Sequence, residues 1–320
     1  MSRFLCAARQ LLAVLAIFAL LFQPTAFGWG DSGHLLINRV AAQKIPASMP
    51  SFLRKAGPRL EYLGPEPDRW RGRGEPALNA AQAPDHFIDM ERVDWMDRLP
   101  ANRYEFYRLL YEKRATLKEH ADDLLPERVG LQPYITIEIY ERLKGAFRQY
   151  RQLKAEKKRT DAVENDIVFY AGWLGHYVAD GANPMHTTIQ YNGWVGDNPN
   201  GYTTARDFHA RFESVFVNAN LARLQIADLI HAPVQLQDPF QDYIHYLKDS
   251  QALVEKSYQL EKAGGFNGEG TPESVEFVRQ RLAAGCQMLL NLWYTAWLES
   301  EKPEPERRPA PAAPLPKSSH

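Results

Sequence analysis

Residues 161–186 read DAVENDIVFYAGWLGHYVADGANPMH, and the periodicity of this stretch decides the fold. Asp161 and Glu164 resemble a capping box ahead of Ile167, Val168, Gly172 and Gly175, whose spacing of three and four predicts a helix. Near its end stand His176 and Asp180, four residues apart and therefore on one face. In Asn183-Pro184-Met185-His186 the proline fixes a turn that swings His186 back toward that pair. The same helical period recurs elsewhere. Ile135, Ile139, Leu143 and Phe147 follow Gly130-Leu131-Gln132-Pro133, and Ile244, Leu247, Val254 and Tyr258 mark another helix. Thr271-Pro272 starts a long one through Val275, Val278, Leu282, Cys286, Leu289 and Trp293. Strand alternation is scarce, and neither an internal repeat nor a dividing linker is visible. The expectation is an all-α, single compact multi-helix domain. Two Gly/Pro/Asn-rich stretches, 57–85 and 181–204, exceed the length of ordinary connections and are expected to do more than link.

The ends of the chain read differently. Arg3 and Arg9 precede an apolar run at 11–22, and Ala26-Phe27-Gly28 supplies a small-residue pattern before Trp29. Residues 1–28 are therefore expected to be a signal peptide, cleaved to leave Trp29 as the new N-terminus of a secreted or periplasmic protein. The apolar run is shorter than the roughly 20 residues that span a membrane. Residues 29–301 would form the domain, and 302–320, dense in Pro, Ala, Glu and Arg, a disordered tail. Loss of the leader's two arginines takes the formal net charge from −1 to −3, which argues against a bulk polyanion binder. It also removes Cys6. Only Cys286 remains, so no intrachain disulfide is possible, and its place in an apolar helical pattern reads as core packing.

The chemistry lies in an arrangement of histidines and carboxylates. His209 and Glu213 repeat the four-residue spacing of His176 and Asp180. His86 stands in Asp85-His86-Phe87-Ile88-Asp89, Asp68 in Pro67-Asp68-Arg69, and His34 lies five residues after Trp29, whose free amine and carbonyl would chelate with it. Five histidines, three carboxylates and an amine, with no thiolate, are the donor set of catalytic zinc. Eight side chains and a terminus exceed what one ion uses, so two or three ions sharing a carboxylate fit the count. Such clusters suit phosphate-ester hydrolysis. His120, His231 and His245 have no partner spacing and read as ordinary histidines.

In order along the chain, Trp-x-x-x-x-His at 29–34, His-Phe-Ile-Asp at 86–89, His-x-x-x-Asp with Pro-Met-His at 176–186, and His-x-x-x-Glu at 209–213 resemble one superfamily. It comprises the zinc-dependent bacterial phospholipases C and the single-strand-specific nucleases of fungi and plants. The resemblance implies an all-helical fold with long loops around a cleft holding three zinc ions. By position, Asp68, His86, His176 and Asp180 would hold the first ion, and His186, His209 and Glu213 the second. Trp29, His34 and the bridging Asp180 would hold the third. Asp68 and Asp180 would be the catalytic carboxylates, with Asp68 orienting or deprotonating a water or hydroxide that attacks phosphorus in line.

The branch is mixed. Phe-His-Ala-Arg-Phe-Glu at 208–213, Asn-Pro-Met-His at 183–186 and the absence of disulfides resemble the phospholipases. The short Trp29–His34 spacing and the Gly-rich insertion between His186 and His209 resemble the nucleases, in which Phe87 and Asp89 would stack on and hydrogen-bond a base. The expected substrate is a phospholipid or, alternatively, single-stranded nucleic acid, acted on by a monomer with no stable protein partner. An inactive zinc-containing binding protein is the further alternative. Ala179 departs from the family's glycine before the bridging aspartate. Arg69, Arg71 and Arg73 are either phosphate grips, Arg69 foremost, or a solvated basic turn. Trp70, Tyr191, Trp194 and Tyr202 either line a pocket or fasten their loops.

Overall fold

The computed structural model describes residues 29–72 and 74–303; the expected signal peptide, Arg73 and the tail beyond residue 303 lie outside the described residues. The regular secondary structure of the described residues is helical, apart from an isolated bridge between Tyr191 and Gly193. In chain order the principal helices are α1 (Gly30–Gln43), α2 (Gly57–Leu63), α3 (Glu66–Arg69), α4 (Arg103–Arg114), α5 (Gln132–Ala155) and α6 (Asp161–Ala182). A run at 208–220 forms α7, followed by α8 (Pro239–Gln251), α9 (Val254–Lys262) and α10 (Pro272–Glu299). The expected all-α class is what the chain adopts.

The helix α6 is the axis of the structure, packed on α5, α10, α2 and α1. Residues 174–182 are all buried, which is the condition of a helix surrounded by others. Its glycines set how close the neighbours come. A Cβ on Gly175 would land on Asn38 Oδ1, and one on Gly172 would sit 2.5 Å from Leu63 Cβ. Through the space left, Asn38 Nδ2 donates to Leu60 O (2.8 Å) and Gly172 O (3.0 Å), tying α1, α2 and α6 at one buried point. Trp29 is fully buried; its indole donates to Ala179 O (2.7 Å) and its ring packs on Phe212 (5.4 Å between centroids). No helix among the described residues is long and apolar enough to cross a membrane.

Several local expectations change. The N-cap of α6 is Thr160, whose hydroxyl bonds Glu164 (2.8 Å), while Asp161 is the first helical residue and pairs with Arg159. There its negative charge faces the positive end of the helix dipole. The stretch 57–85 is mostly helix, because Pro58, Pro67 and Pro76 each open a short helix instead of breaking one. The pattern at 244–258 is two helices. The interruption at Ala252-Leu253 lets α8 direct Tyr243 and Tyr246 hydroxyls onto α6 carbonyls, while the α9 residue Tyr258 turns toward Gln190 and Gly193. In the 187–207 loop, Trp194 and Tyr202 pack on Tyr258 (5.2 and 5.7 Å), so these two aromatics fasten the loop. Thr271 caps α10 as expected by accepting from Ser274 N (3.2 Å), and Cys286 lies fully buried in that helix, where burial pushes its thiol up to about 12.

Candidate metal centre

The eight side chains singled out by spacing converge. His176 and Asp180 project from α6, and His34 from α1, with the His34 and His176 rings stacked at 4.1 Å. Asp68 comes from α3. His86 ends a 3-10 turn, Ala83–His86, that is locked by backbone bonds to its surroundings: Ile88 N donates to His186 O (2.9 Å) and Leu131 N to Pro84 O (2.7 Å). Gly130, at φ +92°, is required here because any side chain would strike the Phe87 carbonyl. His186 follows a cap in which Asn183 accepts from Met185 N (3.0 Å), so the Asn-Pro pair makes the turn that the sequence implied. His209 and Glu213 sit on α7, where Phe208–Ala210 is α-helical, Arg211–Val215 is π-helical and Phe216–Asn220 is α-helical again. Single π turns commonly mark functional positions.

Three groups of potential ligand atoms result, each within 4.8 Å of one another: His34, His176 and Asp180; Asp68, His86 and His176; and His186, His209 and Glu213. His176 is shared by the first two. Asp180 turns Oδ1 to His34 Nε2 (3.4 Å) and Oδ2 to His86 Nδ1 (3.1 Å) and His176 Nε2 (3.4 Å). In the third group Glu213 Oε2 lies 2.6 Å from His209 Nε2 and 3.3 Å from His186 Nε2, and Asn183 Nδ2 donates to the same oxygen (3.2 Å). His176 Nδ1 is held by Gly64 O (2.9 Å) and His186 Nδ1 by His86 O (2.6 Å), so in each case the other ring nitrogen faces the cluster.

Whether such a cluster suits a cation can be tested on its unpaired atoms. Both Asp68 oxygens, Asp180 Oδ1, Glu213 Oε1 and both His34 nitrogens are buried without a hydrogen bond inside the protein. Orphaned polar atoms at this density are costly in a folded interior unless a ligand takes their lone pairs. Electrostatics agree. Burial raises Asp68 to about 6 and Glu213 to about 7, against the pull of His86 and of His186 respectively. Burial likewise lowers His209 to about 4 and holds His176 well below the usual imidazole range, so both rings offer lone pairs. Burial also opposes ionisation of Asp180, but His176, His186, His34 and His86 outweigh it and keep the carboxyl well below its usual range. For His34 the burial penalty is overcome by the Asp180 carboxylate beside it, 3.4 Å from Nε2, and its pKa rises. The donor set fits divalent zinc.

Above the cluster opens a cavity of about 490 Å³ whose wall includes His86, His186 and His209, together with Phe87, Asp89, Arg71, Arg92 and Tyr191. Burial pushes Asp89 up to about 6, although Arg92 Nε donates to its Oδ2 (2.9 Å). Arg69, expected at the substrate, is placed otherwise: it bonds Glu66 (2.6 Å) and Tyr62 O (3.0 Å) and lies over the Tyr62 ring. An acid three residues earlier on the same short helix captures it, and Arg71 reaches the cavity in its stead. Trp70 packs on Trp173 (5.5 Å). Tyr191 is the aromatic of the four that lines the cavity. Asn183 and Arg92 were not singled out by sequence; Asn before Pro-Met-His was a legible cap signal, and an arginine three residues after Asp89 a legible pair. His231 and His245 are exposed, and His120, 82% exposed, meets Asp123 at the surface.

No family model matches the chain, and no curated protein matches it in sequence. Among solved structures it is similar to the alpha toxin from Clostridium absonum, with 11% identity and a TM-score of 0.45 over 88% of this chain and 67% of that one. It is also similar to Clostridium perfringens alpha-toxin from an avian strain, with 12% identity and a TM-score of 0.38 over 85% of this chain and 64% of that one.

Proposed function

We propose that this protein is a secreted or periplasmic zinc-dependent phosphodiester hydrolase acting as a monomer in the manner of a phospholipase C. The observation that carries the reading is the convergence of eight buried histidines and carboxylates, with their unpaired atoms, beneath one cavity. Zinc, when bound, supplies a Lewis acid for phosphoryl oxygens and a source of hydroxide near neutral pH. Asp180, with its two oxygens turned to different histidines, is the natural bridge between ligand sets. Asp68 is the proton acceptor, since neither oxygen is engaged in a hydrogen bond within the protein. Arg71, whose Nη1 lies 3.7 Å from Asp68 Oδ1 on the cavity wall, orients the phosphate. Trp29 would complete the His34 set through its amine and carbonyl once residues 1–28 are removed.

Charge at the cavity favours a small phosphodiester over a polymer. Arg71, Arg92 and Arg128 share the wall with Asp89, Asp123 and Glu127, so the lining carries as many acids as arginines, unlike the predominantly cationic groove that a polyanion needs. A second reading, a single-strand-specific nuclease, is supported by Phe87 and the half-exposed Tyr191, both able to stack a base at the same cavity. The test is a substrate panel of phosphatidylcholine against single-stranded DNA and RNA, run after chelation and again after zinc is restored. Zinc-restored turnover of the lipid alone supports the proposal, and turnover of the oligonucleotides alone assigns the second reading. Stoichiometric zinc with no turnover identifies an inactive binding protein. A protein that takes up no zinc sinks all three.

A further inference from the structure

The last turn of α6, which carries Asp180, is gripped carbonyl by carbonyl. The final four carbonyls of a helix have no partner within it, and their partial negative charge disfavours a carboxylate placed among them. Here each carbonyl from residue 177 to 181 accepts from a group outside the helix. Gln132 Nε2 (2.5 Å) and the Tyr243 hydroxyl (3.0 Å) donate to Tyr177 O, the Tyr246 hydroxyl to Val178 O (2.7 Å) and the Trp29 indole to Ala179 O. Asn183 N donates to Asp180 O (2.9 Å) and the Ser250 hydroxyl to Gly181 O (2.6 Å). Tyr243, Tyr246 and Ser250 stand three and four residues apart and so share one face of α8, where all three are buried. Burial holds both phenols above their usual range, so each keeps the proton that it donates. Gly181 makes the room: a Cβ there would lie 2.6 Å from the Tyr243 hydroxyl and 2.9 Å from Gln132 Nε2.

We infer that Tyr246 and Ser250 are positioning residues of the candidate metal centre: from α8 they fix the last turn of α6 and thereby the place of both Asp180 oxygens. The inference rests on the metal centre of the phosphodiesterase reading and deepens it. Aspartate has only two side-chain torsions, so where its oxygens lie follows from where its backbone lies. Oδ1 stands 3.4 Å from His34 and Oδ2 3.1 Å from His86, residues of different ligand groups. Without outside donors the turn would satisfy its carbonyls by tightening into 3-10 bonds, which rotates the residues that it carries. A ligand set tolerates a displacement of only about 0.5 Å. The negative helix end that repels a carboxylate also attracts cations, so a turn held in place by side-chain donors keeps both the ligand and the favourable field where the metal would sit.

The experiment compares the zinc-loaded wild type with Tyr246→Phe and with Ser250→Ala, each of which deletes one hydroxyl. Tyr140→Phe is the control, because that buried hydroxyl bonds Glu299 (2.7 Å) and touches neither α6 nor a candidate ligand. Zinc retention is followed by native mass spectrometry along a chelator titration, beside thermal unfolding of the metal-free protein. In both variants the affinity for the ions held through Asp180 should fall about tenfold, the cost of losing an outer partner at a metal site. The ion of His186, His209 and Glu213 should keep its wild-type affinity, so that a one-zinc form accumulates. Tyr140→Phe should lower the unfolding temperature and leave every affinity unchanged. Unchanged affinities in both variants, or an equal fall at every ion, reduce the α8 hydroxyls to fold stability and overturn the role. A wild type that binds zinc but cleaves no phosphodiester overturns the phosphodiesterase reading alone, and one that binds no zinc overturns both.

Discussion

His176 with Asp180 and His209 with Glu213 are the same four-residue device set in two different backbones. The first pair lies on α6, a regular helix buried on all sides and seated against Asn38 and Gly64, and both residues are wholly inaccessible. The second lies where α7 widens into a π turn, partnered by His186 from a 3-10 turn at the cavity wall. In a regular helix the short Asp180 side chain meets His34, His86 and His176 within 3.4 Å, and of Glu213's set it reaches only His186, at 3.9 Å. In the π turn the pair needs the longer glutamate, and Asn183 to steady it. The floor of the centre is therefore fixed by core packing, whereas its outer part is fixed by local hydrogen bonds that can be altered one at a time.

Substitutions should separate the two halves. The largest effect is expected from Asp180→Asn, which should remove zinc from the floor and abolish turnover. Outer-shell changes at metal sites already cost about ten- to a hundredfold, and this residue is placed at the ligands themselves. His120→Ala should alter neither zinc content nor rate, and equal effects of the two by zinc analysis and assay would break the assignment. Next comes Glu213→Asp, which withdraws the carboxylate from His186 and His209 by one methylene. Native mass spectrometry should record loss of a single zinc with the others retained; complete loss would mean that the two halves are not independent. Gly175→Ala should lower stability by about 1–3 kcal/mol by pressing on Asn38, with the zinc count intact at low temperature, as read by denaturant unfolding. The smallest effect concerns the mouth. Folding raises the Asp89 carboxyl to about 6, above its unfolded value, so between pH 4 and 6 the native state holds more protons than the unfolded one, and this group's contribution falls as pH rises. Stability of the wild type relative to Asp89→Asn should decline across that window; a flat difference would show that Arg92 fully compensates the burial.

The same division explains what sequence made legible. The α6 pair and the buried α6 face followed from period and spacing alone, because a regular helix converts sequence distance into geometry. The turn at Asn183-Pro184 was readable for the same reason, proline having one φ. The π turn at Arg211–Val215 was not, since no residue in it forbids an α-helix, and its conformation is settled by what surrounds it: the Gly30 backbone beside Ser214, and the Phe208 and Phe212 rings against Phe266. The capture of Arg69 by Glu66 and Tyr62 was missed because it depends on which way a short helix faces.

The separations along the chain have a consequence for how the molecule forms. His86 and Asp180 meet across 94 residues, His176 and Gly64 across 112, and Trp29 and Ala179 across 150. In an incompletely collapsed chain only the two four-residue pairs exist, each too few in ligands to retain an ion, while closing the longer loops is the slow part of folding. On the proposed reading zinc would be a late arrival, captured when assembly is finished, and its uptake during refolding would be a clock for the final docking of α1 and α3 against α6.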